Sequence, residues 1–370
     1  MPLLSLILFL YLLILLWCII DWYRYKKISA IQANNLSNVS IIIPVRNEER
    51  SIGKLLEDII KQTYKKDNYE VIIVNDHSSD STKELVGKFL DKVKDNRFRL
   101  IDMKVEAGKK ASIAQGVKES EMDIILTTDG DCRVKKDWLI EMMVPFQDPN
   151  IHLVAGLVNL LGDSFFALMQ QVEFASLQGI GGITLRNNLP TMANGANLAF
   201  RKKSFIQVGG YKGNEHIASG DDEFLLRKIH HHFPGGLFFM SDMKGSVESR
   251  ACNTLGEFWN QRVRWASKWK MHKDIGTKLL GLTVILVQFS FLAGLLISGI
   301  RGESVSFFMA LFAGKIVLEF LFIQGIRLKS PVKTFIAVLI WQVLYPVYAI
   351  SVGIASLKGN YIWKERKYKI

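Results

Sequence analysis

The chain is poor in cysteine, with three in 370 residues: Cys18 lies in an apolar run, Cys132 beside an acidic pair and Cys252 alone. That excludes a metal quartet and a disulfide framework, and it agrees with a reducing compartment. Two phosphate-binding signatures are also missing. There is no P-loop and no Gly-x-Gly-x-x-Gly, so neither an ATPase nor a dinucleotide dehydrogenase is supported. No nucleic-acid-binding motif accompanies the net charge of +12. The cations flank apolar runs instead, at Lys268, Lys270, Lys273, Lys278, Arg327, Lys329, Lys333 and Lys364 to Lys369. Anionic lipid headgroups are therefore the expected partner, and nucleic acid is not.

What is present is unevenly spread. The chain is 49% hydrophobic, and the run Leu3 to Ile20 is long enough to span a bilayer while lacking the basic start and cleavage site of a secretory signal. It reads as a retained anchor. Arg24, Lys26 and Lys27 follow it, so the positive-inside rule puts the middle of the chain in the cytoplasm, on an inner or cytoplasmic membrane. The expected division is an anchor over 1–27, a soluble domain over 28–274 with halves 39–131 and 132–274, and a membrane region over 275–370.

Between Val39 and Asp131 short β-rich runs alternate with helical stretches, the pattern of a parallel sheet covered by helices. The runs predict strands over Val39–Pro44, Tyr69–Val74, Phe98–Asp102 and Met122–Thr128. Helices are expected over Ile52–Gln62, from a Ser81 cap to about Val93 with Glu84 at capping-box spacing, and over Lys109–Lys118. In such open sheets ligands bind beyond the carboxyl ends of the strands, so Asn47, Glu48, Asp76, Asp129 and Asp131 are expected to meet in one crevice. Thr128-Asp129-Gly130-Asp131 ends an apolar strand in two hard oxygen donors. Gly130 lets the backbone turn so that both face one Mg²⁺ or Mn²⁺ shared with a nucleotide diphosphate; the other reading is an Asp-Gly hairpin turn.

Four segments together resemble a known family: Ile43-Pro44-Val45-Arg46-Asn47-Glu48, Val74-Asn75-Asp76-His77-Ser78-Ser79-Asp80, Gly108-Lys109-Lys110-Ala111 and Thr128-Asp129-Gly130-Asp131. They look like the successive motifs of family 2 glycosyltransferases. The likeness continues through Asn194-Gly195-Ala196-Asn197, Ser219-Gly220-Asp221-Asp222-Glu223 and Gln261-Arg262-Val263-Arg264-Trp265. Two positions depart from the pattern, Ala114 where asparagine is common and Asp221 where glutamate is usual. The resemblance implies an α/β fold of GT-A type, Rossmann-like with a mostly parallel sheet, flanked by transmembrane helices. It implies donor contacts at Pro44, Asn47, Glu48, Asp76, Lys109 and Asp129, with Glu48 and Asp76 on the nucleoside. It also implies a metal on Asp129 and Asp131, a general base at Asp222, and an acceptor or diphosphate side formed by Asp221, Gln261, Arg264 and Trp265. The expected donor is a nucleotide sugar, a UDP-sugar, and the acceptor a lipid or a glycan.

Inverting sugar transfer needs a carboxylate to take the acceptor proton and a cation on the departing diphosphate. For Asp221 and Asp222 the other reading is capping of the helix that begins there. Gln261, Arg264 and Trp265 fall at i, i+3 and i+4, on one helix face. The other role for Trp259, Trp265 and Trp269 is membrane anchoring. His230, His231 and His232 are consecutive, point in different directions and form no ligand set. Phe165 to Ile180 is an amphipathic helix, either at the membrane surface or in the core.

Leu279–Ile300, Val305–Ile326 and Val332–Leu357 are three further spanning-length segments. Lys315 and Glu319 sit four apart in the second and are expected to pair. If all three span, the basic tail ends outside, against the charge rule; Pro346 breaking the last segment into a re-entrant pair would return it. A single-transfer lipid glycosyltransferase, a processive polysaccharide synthase and a non-catalytic transporter or glycan-binding subunit are the three function classes carried forward.

Overall fold

The chain begins with α1 (Pro2–Arg24), then alternates β1 (Val39–Val45), α2 (Ile52–Ile60), β2 (Tyr69–Asn75), α3 (Thr82–Val93), β3 (Phe98–Asp102), α4 (Lys109–Glu119) and β4 (Ile124–Thr127). There follow β5 (Arg133–Val134), α5 (Trp138–Met143), β6 (Leu153–Gly156), β7 (Val158–Leu161), α6 (Phe165–Arg186), β8 (Leu198–Arg201), α7 (Lys202–Gln207), α8 (Asp221–His232), β9 (Leu237–Met240), β10 (Val247–Arg250) and α9 (Leu255–Ser267). Three long helices close the sequence, α10 (Ile275–Arg301), α11 (Ser306–Gly325) and α12 (Pro331–Leu357), before a hairpin of β11 (Asn360–Trp363) and β12 (Arg366–Lys369). This computed structural model describes residues 2–25, 36–105, 107–214, 220–267, 275–301, 306–326, 330–357, 360–363 and 366–369. Lys26, Lys27, Ser219, Lys268, Trp269, Lys270, Lys273, Arg327, Lys329 and Lys364, with the expected boundaries near 27 and 274, lie outside the described residues.

Seven strands form one sheet in the order β3-β2-β1-β4-β8-β6-β9. All run parallel except β8, which is antiparallel to both of its neighbours. The central strands are buried on both faces, which is why β1 and β2 read as unbroken apolar runs. On one face Ile41, Ile43 and Val45 pack with α2 and α5; on the other Ile42 meets Ile113 and Val117 of α4. Gly116 allows that second contact, since a Cβ there would stand 2.6 Å from Ile42 Cγ2. β5, β10 and β7 make a smaller second sheet.

Several expected boundaries move for local reasons. α2 stops at Ile60, before Gln62, whose amide turns to accept from the Leu139 N–H and donate to the Lys135 carbonyl. The Ser81 capping box does not form: Asp80 accepts the Thr82 N–H at 3.0 Å, and Glu84 reaches forward to Lys88 at 2.5 Å. β4 is flanked by β1 and β8 while β5 pairs with β10, so Asp129-Gly130-Asp131 is not a hairpin turn.

Three helices, α1, α11 and α12, are long and apolar enough to cross a membrane; in α10 the apolar described stretch is Gly281–Phe291. α1 buries Leu8, Leu15 and Cys18 and leaves Leu6, Phe9, Leu13 and Trp17 exposed. It is fixed to α11 by Tyr11, whose hydroxyl donates to Glu319 at 3.0 Å, and by Trp22, whose indole donates to the Gly325 carbonyl at 3.0 Å. Lys315 pairs with Glu319 at 2.9 Å as their spacing predicts, and Gln342 of α12 bridges them, accepting from Lys315 and donating to Glu319.

Helix α6 belongs to the core. It is 22 residues long, capped by Ser164 accepting from the Ala167 N–H, and lies between the sheet and the membrane helices, with Gly179 against Phe322 and Ile326. Pro346 does not break the last segment: α12 is continuous through it. The proline forfeits one internal hydrogen bond, while Trp341 donating to the Met169 carbonyl and Tyr348 stacking on Phe258 hold the helix on both sides of it. The tail still returns to the α/β half, because β11 lies against α9.

Because α10, α11 and α12 retain their own apolar surface, a chain lacking Met1 to Ile20 should remain in the membrane fraction after high-salt washing. Its recovery as soluble protein would show that these helices do not anchor it.

Candidate active site

Parallel register brings the strand ends to one edge. Val45 lies opposite Asn75 and Ile42 opposite Thr127, so the loops after β1, β2 and β4 leave the sheet side by side. A cavity of about 1530 Å³ opens there, bordered by Pro44, Glu48, Asp76, Lys109, Asp129 and Asp131, and by Asp221 and Asp222 from α8. Asn47 is the exception among the expected donor contacts. Its backbone is left-handed at φ 54°, and its side chain accepts the Ser79 N–H at 2.9 Å. It ties two loops together and borders a separate recess of about 230 Å³.

Asp76 is 4% exposed, and its carboxylate accepts from the Gly108 N–H at 3.0 Å, fixing the loop that starts α4. Gly130 serves closeness rather than a special backbone angle. It has no positive φ, but a Cβ would meet Val45 Cγ1 at 2.9 Å and Glu48 Cγ at 3.0 Å. Glycine thus lets the acidic pair lie against the β1 loop.

The centre of the cluster is Lys109. Its ammonium sits 2.6 Å from Asp129 Oδ1 and 3.3 Å from Asp221 Oδ2. Burial works against its charge, but Asp129 and Asp221, with Asp222 behind them, outweigh that and raise its pKa far above the usual lysine range. Stability from a raised lysine is complete below the ordinary pKa and is lost only as pH climbs through the folded one, so the bridge is intact at neutral pH. Gly195 completes the fit. Its N–H donates to Asp222 at 3.2 Å, Thr127 donates to its carbonyl at 2.7 Å, and a Cβ would lie 2.5 Å from Asp221 Oδ2. The capping position of α8 is Gly220, at φ 84°, so neither aspartate is the cap. Both lie in the first turn, where the helix dipole favours an ionised carboxylate.

Across the cavity, α9 presents Gln261, Arg264 and Trp265 on one face, all on the cavity wall. Trp265 packs against Phe174 of α6 at 5.6 Å between ring centres. Beyond them the wall continues onto the membrane helices through Ile14, Phe322, Ile323, Val338 and Tyr345. Two buried residues here escape motif reading, Glu173 and Arg262, an ion pair at 2.5 Å. Glu173 at Arg262's distance in sequence carries no local signal.

Asp129 and Asp131 are hard oxygen donors on one cavity edge, and no group of three metal-ligating side chains occurs among the described residues, the three histidines included. Two carboxylates with the remaining positions left to water and phosphate suit Mg²⁺ or Mn²⁺, so the residues fit the expected ion. Cys132 adds nothing to the set, since burial and then Asp131 and Asp129 push its thiol pKa well up.

Residues 40–209 match the family description Glycosyl transferase family 2. The chain carries a family 2 glycosyltransferase domain. It is 29% identical over 249 residues to the poly-beta-1,6-N-acetyl-D-glucosamine synthase of Staphylococcus aureus strain COL, covering 66% of this chain and 57% of that protein. The synthase of the same name from Staphylococcus epidermidis is 26% identical over 269 residues, covering 68% and 61%. The chain therefore spans less than two thirds of these relatives. Among solved structures, the mannosyltransferase PcManGT from Pyrobaculum calidifontis, in complex with GDP-Man and Mn²⁺, shares the fold. The TM-score is 0.58 and the identity 16%, over 96% of this chain and 97% of that one. The α/β fold of GT-A type with flanking apolar helices thus agrees with the expectation from sequence.

Gly195→Ala should drive Asp221 off Lys109 without touching the core. Loss of a charged contact of this kind is worth about 1.5–3 kcal/mol, or roughly 10- to 100-fold in donor turnover. The check is donor turnover beside thermal melting, and an alanine variant of normal activity would show that the close approach is dispensable.

Proposed function

We propose that the protein is a membrane-integral, inverting glycosyltransferase that moves a sugar from a nucleotide-sugar donor, a UDP-sugar, to a lipid acceptor in cell-envelope synthesis. The observation that carries this is the continuity of the cavity. One end is bordered by Asp129, Asp131 and Asp222, the other by Ile14, Phe322, Ile323 and Val338 of helices apolar enough to cross a membrane. A donor's charged diphosphate suits the first end and an acceptor's hydrocarbon the second. The division into an anchor, a soluble domain and a membrane region, with the soluble domain cytoplasmic, belongs to the same proposal and rests on the basic residues after α1.

In this reading Glu48 and Asp76 face the nucleoside and Asp129 and Asp131 hold the divalent ion. When bound, that ion supplies counter-charge to the diphosphate as it departs. Lys109 adds a fixed positive charge at the same edge. Asp222, held by the Gly195 N–H, takes the proton from the acceptor hydroxyl as its oxygen bonds the anomeric carbon and the bond to the phosphate oxygen breaks on the opposite face. Arg264 and Trp265 offer a guanidinium to phosphate and an aromatic plate to a sugar. Asp221 supports the base through Lys109.

A second reading, a processive polysaccharide synthase, is favoured by the likeness to the staphylococcal synthases. Mass spectrometry of the products formed from a panel of UDP-sugars and membrane lipids separates single addition from a polymer. A non-catalytic subunit would release no nucleotide diphosphate at all.

Replacing Asp129 or Asp131 with alanine should abolish donor turnover, and chelator should do the same; full activity in either case would sink the metal assignment. Asp222→Asn should lower transfer by roughly 10²- to 10⁴-fold while leaving nucleotide affinity, read by titration calorimetry, nearly unchanged. Asp221→Asn should be milder. If instead Asp221→Asn is the dead enzyme, the base is the wrong member of the pair.

A further inference from the structure

The helix bearing Gln261, Arg264 and Trp265 is organised by a residue between them. Arg262 is 3% exposed, and its guanidinium makes four different contacts. It grips Glu173 of α6 through two nitrogens, with Nε at 3.1 Å and Nη2 at 2.5 Å. Its Nη1 donates to the side-chain oxygen of Gln261. It also lies over two rings of its own helix, with the guanidinium carbon 4.5 Å from the Phe258 ring centre and 4.4 Å from that of Trp265. One cation therefore fixes the orientation of two cavity-lining side chains of α9, Gln261 and Trp265.

The anchor of that cation is shared with the membrane region. Tyr348 of α12 donates its hydroxyl to Glu173 Oε1 at 3.0 Å and stacks on Phe258, with ring centres 5.6 Å apart at 26°. Glu173 thus accepts from α9 and α12 at once, and Phe258 is held between Arg262 and Tyr348. A buried guanidinium and carboxylate are costly to desolvate, and replacing such a pair by apolar residues is often neutral for stability. What an apolar pair could not do is hold the Gln261 amide and the Trp265 ring in fixed geometry while touching a third helix.

We propose that Arg262 is a positioning residue for the acceptor, and that Glu173 and Tyr348 form a clasp through which the placement of α12 sets the Gln261 and Trp265 side chains. The acceptor part of this inference rests on the glycosyltransferase reading above; the clasp itself does not. The donor end lies on other elements, the loops after β1, β2 and β4 and the start of α8, so disturbing the clasp should act on one substrate and spare the other.

The test uses the full-length protein in nanodiscs, with a panel of UDP-sugars as donors and a total membrane lipid extract as acceptor. Tyr348→Phe keeps the stacked ring and removes the hydroxyl; it should raise the KM for the lipid extract by about 3- to 10-fold, the usual worth of one hydrogen bond, with the donor KM within about twofold of normal. Arg262→Lys keeps the charge but loses the fork and the flat face. It should raise the acceptor KM further and divert donor from transfer to hydrolysis. An unchanged acceptor KM in both variants, or donor and acceptor KM rising together, overturns the positioning role. The contact is tested independently of any reaction by melting temperatures of Tyr348→Phe, Glu173→Gln and the double variant. The double variant should lose less than the sum of the singles, and strict additivity would overturn the clasp. If the unsubstituted protein released no nucleotide diphosphate, the glycosyltransferase reading would fail, and the melting cycle would still decide the clasp.

Discussion

Everything at the cavity edge of the sheet depends on holding like charges together. Glu48, Asp76, Asp129, Asp131, Asp221 and Asp222 all border one cavity, and like charges brought so close repel one another. Four of them, Asp76, Asp129, Asp221 and Asp222, are compensated locally. Asp76 accepts a backbone N–H from Gly108, Asp222 one from Gly195, Asp221 and Asp222 sit in the first turn of a helix, and Lys109 stands between the two groups. The charge that remains is what a cation-bound diphosphate would meet. The glycines follow from the same constraint, because Gly130 and Gly195 are where a single added carbon would force the acidic loops apart.

The sheet half was legible because its signals are local and repeated. Buried parallel strands read as continuous apolar runs, and a carboxylate following each run marks the binding edge whatever the rest of the chain does. The family motifs then drew in Lys109, Asp222 and the α9 face. Asn47 stands at a strand end like the other expected donor contacts, and in the structure its oxygen accepts from the Ser79 N–H. Sequence reading failed where a side chain had two competing uses. Ser81 and Glu84 have capping-box spacing, yet Asp80, one residue earlier, takes the Thr82 N–H and leaves Glu84 to Lys88. Gln62 fits the end of a helix, but the Leu139 N–H competes for it from 77 residues away.

Long-range pairings were the other blind spot. The spacing of Lys315 and Glu319 announces their contact, since both lie on one helix. Nothing in the sequence announces that Gln342 and Tyr11, from two other helices, complete the cluster, or that Arg262 answers Glu173 across 89 residues. The character of α6 was undecidable for a related reason. A helix covered on one side by a sheet and on another by membrane helices needs apolar residues over most of its surface, with a few polar ones where they find partners. Gln170 on the Cys252 backbone and Glu173 on Arg262 are such residues, and they gave α6 its amphipathic look.

Helix α12 ties the apolar helices to the α/β half. Its 27 residues measure about 40 Å at 1.5 Å per residue, against about 30 Å of hydrocarbon in a bilayer. Trp341, Tyr345 and Tyr348 lie within it, and two of them spend their polar atoms on the catalytic half, the indole on the Met169 carbonyl and the phenol on Glu173. A segment that gives hydrogen bonds to α6 along this stretch is not surrounded by lipid there, and aromatic residues with a polar tip suit the headgroup level. A proline is tolerable in such a helix because neighbours on both sides hold it. The apolar content that makes α12 long and apolar enough to cross a membrane is therefore spent in part within the protein, on the wall of the cavity and against α6 and α9.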